Sequence, residues 1–227
     1  MQSLAEPQDA CLYLFYGPIG EQTSQQVLHA VCRLFWPNEQ QTLRYNAYGK
    51  PYLANQSLFF NLSHQQDMIV IGFSRNEVGV DLQFPAPQHN WRRLTERCAS
   101  PSERPWINTC QDFYRLWVLK EAYFKAIGKG LSHNFQNTQF TLEANNYYEV
   151  NQQNRNKTSS ADLIEIHSDH SDWYNYLINR DISSGSPTNT GYWAICSERR
   201  ISDIRYFDMT TLTCKARYSQ SSNQTGA

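Results

Sequence analysis

Val78-Gly79-Val80-Asp81-Leu82-Gln83, closed by Phe84-Pro85, is the stretch on which the reading of the fold turns. A short apolar run stopped by Pro85 and Pro87 reads as a strand. Alternate strand residues share a face, so Asp81 and Gln83 point together while Val80 and Leu82 pack behind them. Upstream, apolar runs at 11–16, 57–62 and 68–73 read as further strands. A helix is predicted between the first two, where Val27, Leu28, Val31, Leu34 and Phe35 recur at helical spacing and Trp36-Pro37 ends the pattern. Downstream come helical patterns at 91–98 and, more strongly, at 112–127, where Gly128 supplies the stop. Strands follow at 138–142, 163–167, 174–178, 192–197 and 204–207, separated by polar loops that include 151–160 and 183–190. Strands and helices do not alternate strictly, so the chain is expected to be α+β rather than a doubly wound parallel sheet. A boundary just before Val78, which rests partly on the resemblance given below, would divide the chain into 1–77, 78–218 and a disordered tail, 219–227.

With 227 residues, 40% of them hydrophobic and 14% aromatic, the chain can bury a sizeable core. Its 20 basic and 21 acidic side chains leave a net charge of −1, no footprint for general nucleic-acid binding. Any phosphate must therefore be held by a few placed residues. The six cysteines are scattered, with no CxxC pair and no zinc spacing. The start, Met-Gln-Ser-Leu-Ala-Glu-Pro, has neither a basic nor an apolar region of a signal peptide. No apolar run approaches the roughly 20 residues of a membrane span. A reduced, cytoplasmic protein without membrane association is expected.

Four local signals carry chemistry. On the strand, the Asp81 carboxylate and Gln83 amide oxygen can bind a hard cation such as Mg²⁺, although a core strand with one surface aspartate has the same pattern. In Trp117-Val118-Leu119-Lys120-Glu121-Ala122-Tyr123-Phe124-Lys125, Glu121 and Lys125 share a helix face. They can serve a metal and a phosphate, or form an ordinary surface pair. Phe60-Asn61-Leu62-Ser63-His64 ends a strand with two groups able to donate to a phosphate. Gly49-Lys50-Pro51 lifts a lysine on a turn. Ser63-His64 does not make a hydrolase pair, because adjacent residues of an extended chain point to opposite sides. His167 and His170 sit among Ser168, Asp169, Ser171 and Asp172 and read as a polar turn.

In this order, with the segment Arg97…Ser100-x-x-Glu103 between strand and helix and Gly128-Lys129-Gly130-Leu131 after it, these pieces resemble the Sfp-type 4′-phosphopantetheinyl transferases. The likeness runs from about Gly49 to Leu131 and is similar to short bacterial members of holo-acyl-carrier-protein synthase type serving fatty-acid carriers. It implies a pseudo-dimer of two similar α+β halves, each an antiparallel sheet packed with a long helix, with the active site in the cleft between them. The implied reaction moves the phosphopantetheine arm of coenzyme A to a serine of an apo carrier protein and releases adenosine 3′,5′-bisphosphate. Mg²⁺ would be held by Asp81 and Glu121, with Gln83 or a water completing the shell. Lys125 would neutralise the diphosphate. Lys50 and Pro51, with Ser63 and His64, would hold the 3′-phosphate end, and Glu121 or Glu103 would take the serine proton. The family pattern carries an acid where Gln83 stands, so the Mg²⁺ site is one charge poorer. A monomer is expected, since two halves supply both walls. Two other readings stay open: a member that binds coenzyme A or carrier without turnover, and a metal-dependent phosphodiester hydrolase.

Overall fold

The computed structural model describes residues 7–37, 42–86, 89–130, 135–141, 162–179, 191–210 and 213–219. Its architecture is α+β, built on two five-stranded sheets stacked face to face. The first contains β1 (Cys11–Pro18), β4 (Phe59–Gln65), β5 (Met68–Ser74), β11 (Asp203–Asp208) and β12 (Thr213–Ser219), in the order β12-β11-β1-β5-β4. The second contains β6 (Val78–Gln83), β7 (Phe140–Thr141), β8 (Asp162–Ser168), β9 (Tyr174–Asn179) and β10 (Tyr192–Ser197), in the order β6-β10-β9-β8-β7. A small ribbon, β2 (Leu43–Tyr45) with β3 (Pro51–Leu53), stands apart.

The period-2 rule assigns the faces. In β1, Cys11, Tyr13 and Phe15 join the core under α1 (Ser24–Phe35), while Leu12, Leu14 and Tyr16 enter the layer between the sheets. There they meet Val78, Val80 and Leu82 of β6 and Trp193 and Ile195 of β10. Both faces are covered, which is why these strands read as continuous apolar runs. Helix α1 buries Val27, Leu28, Val31 and Phe35 against the first sheet. Each such side chain contributes roughly 1.5–3 kcal/mol. The helix begins with a reciprocal capping box between Thr23 and Gln26.

On the outer face of the second sheet lies α3 (Cys110–Ala126), started by a capping box between Thr109 and Asp112 and packed beside the short α2 (Trp91–Cys98). α3 sits very close to β6. A Cβ on Gly79 would fall on the Ala122 carbonyl oxygen and the Ala126 nitrogen, so a glycine is required there. The helix ends at Gly128, whose φ of +67° suits glycine. Two residues of the β2–β3 ribbon satisfy carbonyls near this end: Lys50 Nζ donates to Ala126 O at 2.7 Å and Asn46 Nδ2 to Gly128 O at 2.8 Å.

The structure differs from the sequence expectation in several places. β11 and β12 join the first sheet, with β11 beside β1. β11 pairs with β1 in parallel, whereas the other described pairings are antiparallel. The ribbon β2–β3 and strand β12 carry too little apolar alternation to be read from sequence. Of the strand expected at 138–142, Phe140–Thr141 forms β7, following a 3-10 turn at Phe135–Asn137, and residue 142 lies outside the described residues. The loops expected at 151–160 and 183–190 lie outside the described residues, as does the tail after Ser219. Among the described residues no helix is long and apolar enough to cross a membrane.

Candidate active site

β6 is an edge strand, and its open edge faces β4, the edge of the other sheet. Side chains join them. Asn61 Oδ1 accepts from Val80 N at 2.8 Å, Ser63 Oγ from Leu82 N at 3.4 Å, and Gln65 Oε1 from Phe84 N. Every second residue of β4 thus meets every second amide of β6, which satisfies a sheet edge otherwise left unpaired. The motif Phe60-Asn61-Leu62-Ser63-His64 owes two of its polar residues to this seam.

The seam sets Asp81 at the floor of a cleft of about 540 Å³. Asp81 is 1% exposed. Its Oδ1 accepts from Ser63 Oγ at 2.8 Å and lies 2.6 Å from Lys125 Nζ, and its Oδ2 accepts from Gln83 Nε2 at 3.2 Å. Lys125 also donates to Ser63 Oγ at 3.0 Å. Lys125 therefore pairs across the cleft with Asp81. Glu121, one helical turn before it, has no hydrogen-bond partner among the described residues, although it is 5% exposed. Burial, and then the Asp81 charge, push its carboxyl up from the ordinary value of 4.5 to about 7, while Lys125 opposes them.

This donor set fits a hard cation. Asp81 is paired with the one ammonium, the Glu121 carboxylate beside it has no hydrogen-bond partner among the described residues, and Asp81, Glu121 and Gln83 offer oxygen donors. Asp81 and Glu121 are the residues able to hold such an ion, with the Gln83 amide beside them. Among the described residues there is no cluster of three or more His, Cys, Asp or Glu side chains, so water or a ligand must supply the remaining positions.

Ser63, His64, Asp81, Gln83, Glu121 and Lys125 all line the cleft, and His64 is the exposed one of these six. Lys50, Pro51 and Glu103 do not line it. The Lys50 ammonium lies 2.6 Å from Glu77 and on the end of α3, while Pro51 opens β3. Glu103 is 1% exposed and lies 2.7 Å from Lys120, itself fully buried. Its Oε2 also accepts from Ser100 N and its Oε1 from Phe140 N, while Lys120 donates to the carbonyls of Phe135 and Thr138. Burial draws the Lys120 ammonium below its usual range, and Glu103 works against that. The arrangement ties α3 to the 135–140 segment, so Glu103 stands as an anchor rather than at the reacting centre.

The cleft has a second wall that sequence reasoning missed: His89, Leu94 of α2, and Phe113, Tyr114 and Trp117 of α3. Counting back in turns from Glu121 finds Trp117 and Phe113 on the same face. His89 carries no such periodic signal. His170, expected in a polar turn, stacks on Tyr123 at 4.6 Å between ring centroids, away from the cleft lining.

Residues 77–178 match the family model described as the 4′-phosphopantetheinyl transferase superfamily. A putative 4′-phosphopantetheinyl transferase of Synechocystis is 36% identical over 104 residues, 41% of this chain and 42% of that protein. The 4′-phosphopantetheinyl transferase gsp of Aneurinibacillus migulanus is 33% identical over 101 residues, 42% of this chain and 41% of that protein. A 4′-phosphopantetheinyl transferase of Bacillus pumilus, psf-1, is 31% identical over 122 residues and 51% of each chain. The chain thus spans about two fifths to one half of the length of these curated relatives.

Proposed function

We propose that this chain, whose residues 77–178 match the 4′-phosphopantetheinyl transferase superfamily model, moves the phosphopantetheine arm of coenzyme A onto a serine hydroxyl of an apo carrier protein. The observation that carries the reading is the buried pair Asp81 and Glu121 with Lys125 between the two sheets' edges. Phosphoryl transfer asks a protein for positioning and charge neutralisation more than for covalent help, and this site offers both. The carrier is of the fatty-acid or a related type.

Asp81 and Glu121 would hold Mg²⁺, with Gln83 or a water beside them. Bound there, such an ion would supply positive charge to offset the negative charge of the diphosphate. Lys125, now on Asp81, would act as a point charge on the departing phosphate. Ser63 fixes both Asp81 and Lys125, and the exposed His64 is free to meet the 3′-phosphate end. Glu121, whose carboxylate lines the cleft, would take the proton of the attacking serine. Lys50 can reach a phosphate only by leaving Glu77, so we assign it to holding the end of α3. One chain supplies both walls of the cleft, and it acts as a monomer in the cytoplasm.

The test is product release. Incubation with Mg²⁺, coenzyme A and an apo carrier protein should liberate adenosine 3′,5′-bisphosphate, and a carrier with Ala in place of the acceptor serine should liberate none. Release independent of that serine would point to hydrolysis and overturn the reading.

A further inference from the structure

The cleft changes character along α3. Lys125 and Glu121 lie at one end of its lining, and Trp117, Tyr114 and Phe113 continue it towards the start of the helix. From position 125 to 113 is 12 residues, about 18 Å at 1.5 Å per residue. Leu94 of α2 extends the apolar end. One polar feature interrupts it. Tyr114 is 3% exposed, its hydroxyl accepts from Ala86 N at 3.0 Å, and it lies 3.2 Å from His89 Nδ1.

Proton counting shows what this pair has left over. The Ala86 amide occupies one lone pair of the hydroxyl, which carries a single proton. If the hydroxyl donates to His89 Nδ1, the imidazole proton sits on Nε2 and has no partner among the described residues. If Nδ1–H donates instead, the hydroxyl proton is the one left over. In either tautomer one donor remains for the cleft, in a wall that is otherwise apolar. A leftover donor beside apolar surface selects a ligand that brings a carbonyl on an aliphatic chain.

We propose that the His89–Tyr114 pair is the specificity-determining contact for the pantetheine arm of coenzyme A, donating to an amide carbonyl of that arm while Trp117, Phe113 and Leu94 cover its methylene groups. This rests on the transferase reading and adds an address for the part of the substrate remote from the diphosphate. A ligand that lacks the carbonyl forgoes this hydrogen bond and keeps only the apolar contacts.

Calorimetric titration with two probes tests it: coenzyme A, which has the arm, and adenosine 3′,5′-bisphosphate, which lacks it. His89 is exposed, so His89→Leu should fold normally. It should weaken coenzyme A binding about 3- to 10-fold, the worth of one hydrogen bond, and leave bisphosphate binding unchanged. His89→Gln, which keeps a donor, should recover most of the loss. Tyr114→Phe should show the same split between probes; its melting temperature is recorded too, since Ala86 N loses its acceptor. Equal weakening of both probes, or unchanged coenzyme A binding in His89→Leu, overturns the proposal. If the wild-type protein binds neither probe, the transferase reading falls, and this proposal with it.

Discussion

Replacing Glu121 with Gln should make the metal-free protein more stable while removing its activity. Glu121 is 5% exposed and faces Asp81, and its carboxyl titrates at about 7 in the folded chain against 4.5 unfolded. The folded state therefore binds the proton more tightly, so Glu121 lowers stability as pH rises from the unfolded value through the folded one. Below about 4.5 both states are protonated and the penalty vanishes. Above about 7 it is complete, and a shift of roughly 2.5 units at 1.36 kcal/mol each amounts to about 3 kcal/mol. Glutamine keeps the shape and carries no charge. At about 2–4 °C per kcal/mol for a chain of this size, Glu121→Gln should melt roughly 6–12 °C higher at pH 8. The assay is thermal denaturation in chelator across pH 5 to 8, with the gain shrinking as pH falls. A variant that melts at or below the wild type at pH 8, or a gain independent of pH, would refute the assignment of Glu121 as a buried, unpartnered carboxylate.

Lys125→Ala should lower turnover more than it weakens coenzyme A binding, and steady-state kinetics beside calorimetry will show it; the reverse pattern would make Lys125 a binding residue. Gln83→Glu adds a charge beside Asp81 and should tighten Mg²⁺ binding in a direct titration, whereas no change would place residue 83 outside the metal shell. Lys120→Met leaves Glu103 buried without its cation, which costs about 3–5 kcal/mol and should lower the melting temperature by roughly 6–20 °C. A drop of only a degree or two would mean that the Glu103 anchor is dispensable. Gly79→Ala drives a methyl into the backbone of α3, and limited proteolysis should show a loosened helix together with lost transfer. A variant with wild-type protease resistance would contradict that close approach.

The parts of the fold visible in the sequence are those that local physics dictates. β1, β5 and β6 announce themselves because both of their faces are buried, and α3 because a long helical pattern ends at a glycine. β12 and the β2–β3 ribbon were not legible: one pairs with its neighbour β11 but carries little apolar alternation, and the other has only three residues per strand. The return of the C-terminal strands to the first sheet depends on β1 and β11, nearly 200 positions apart, and no local pattern encodes it. Within the site, Asp81 and Gln83 were readable from strand alternation, and Glu121 and Lys125 from helix spacing. The partners of Lys50 and Glu103 were not, because Glu77 and Lys120 reach them only through tertiary packing. No local pattern marks Asn61 and Gln65 for the seam. Their role appears when the edges of two sheets meet.

The most direct measurement is the intact mass of an apo acyl carrier protein after incubation with this chain, Mg²⁺ and coenzyme A, alongside Asp81→Ala as control. The account predicts a gain equal to one phosphopantetheine arm with the wild-type chain and none with the folded variant. An unmodified carrier, with coenzyme A bound yet intact, or equal modification by Asp81→Ala, would contradict it.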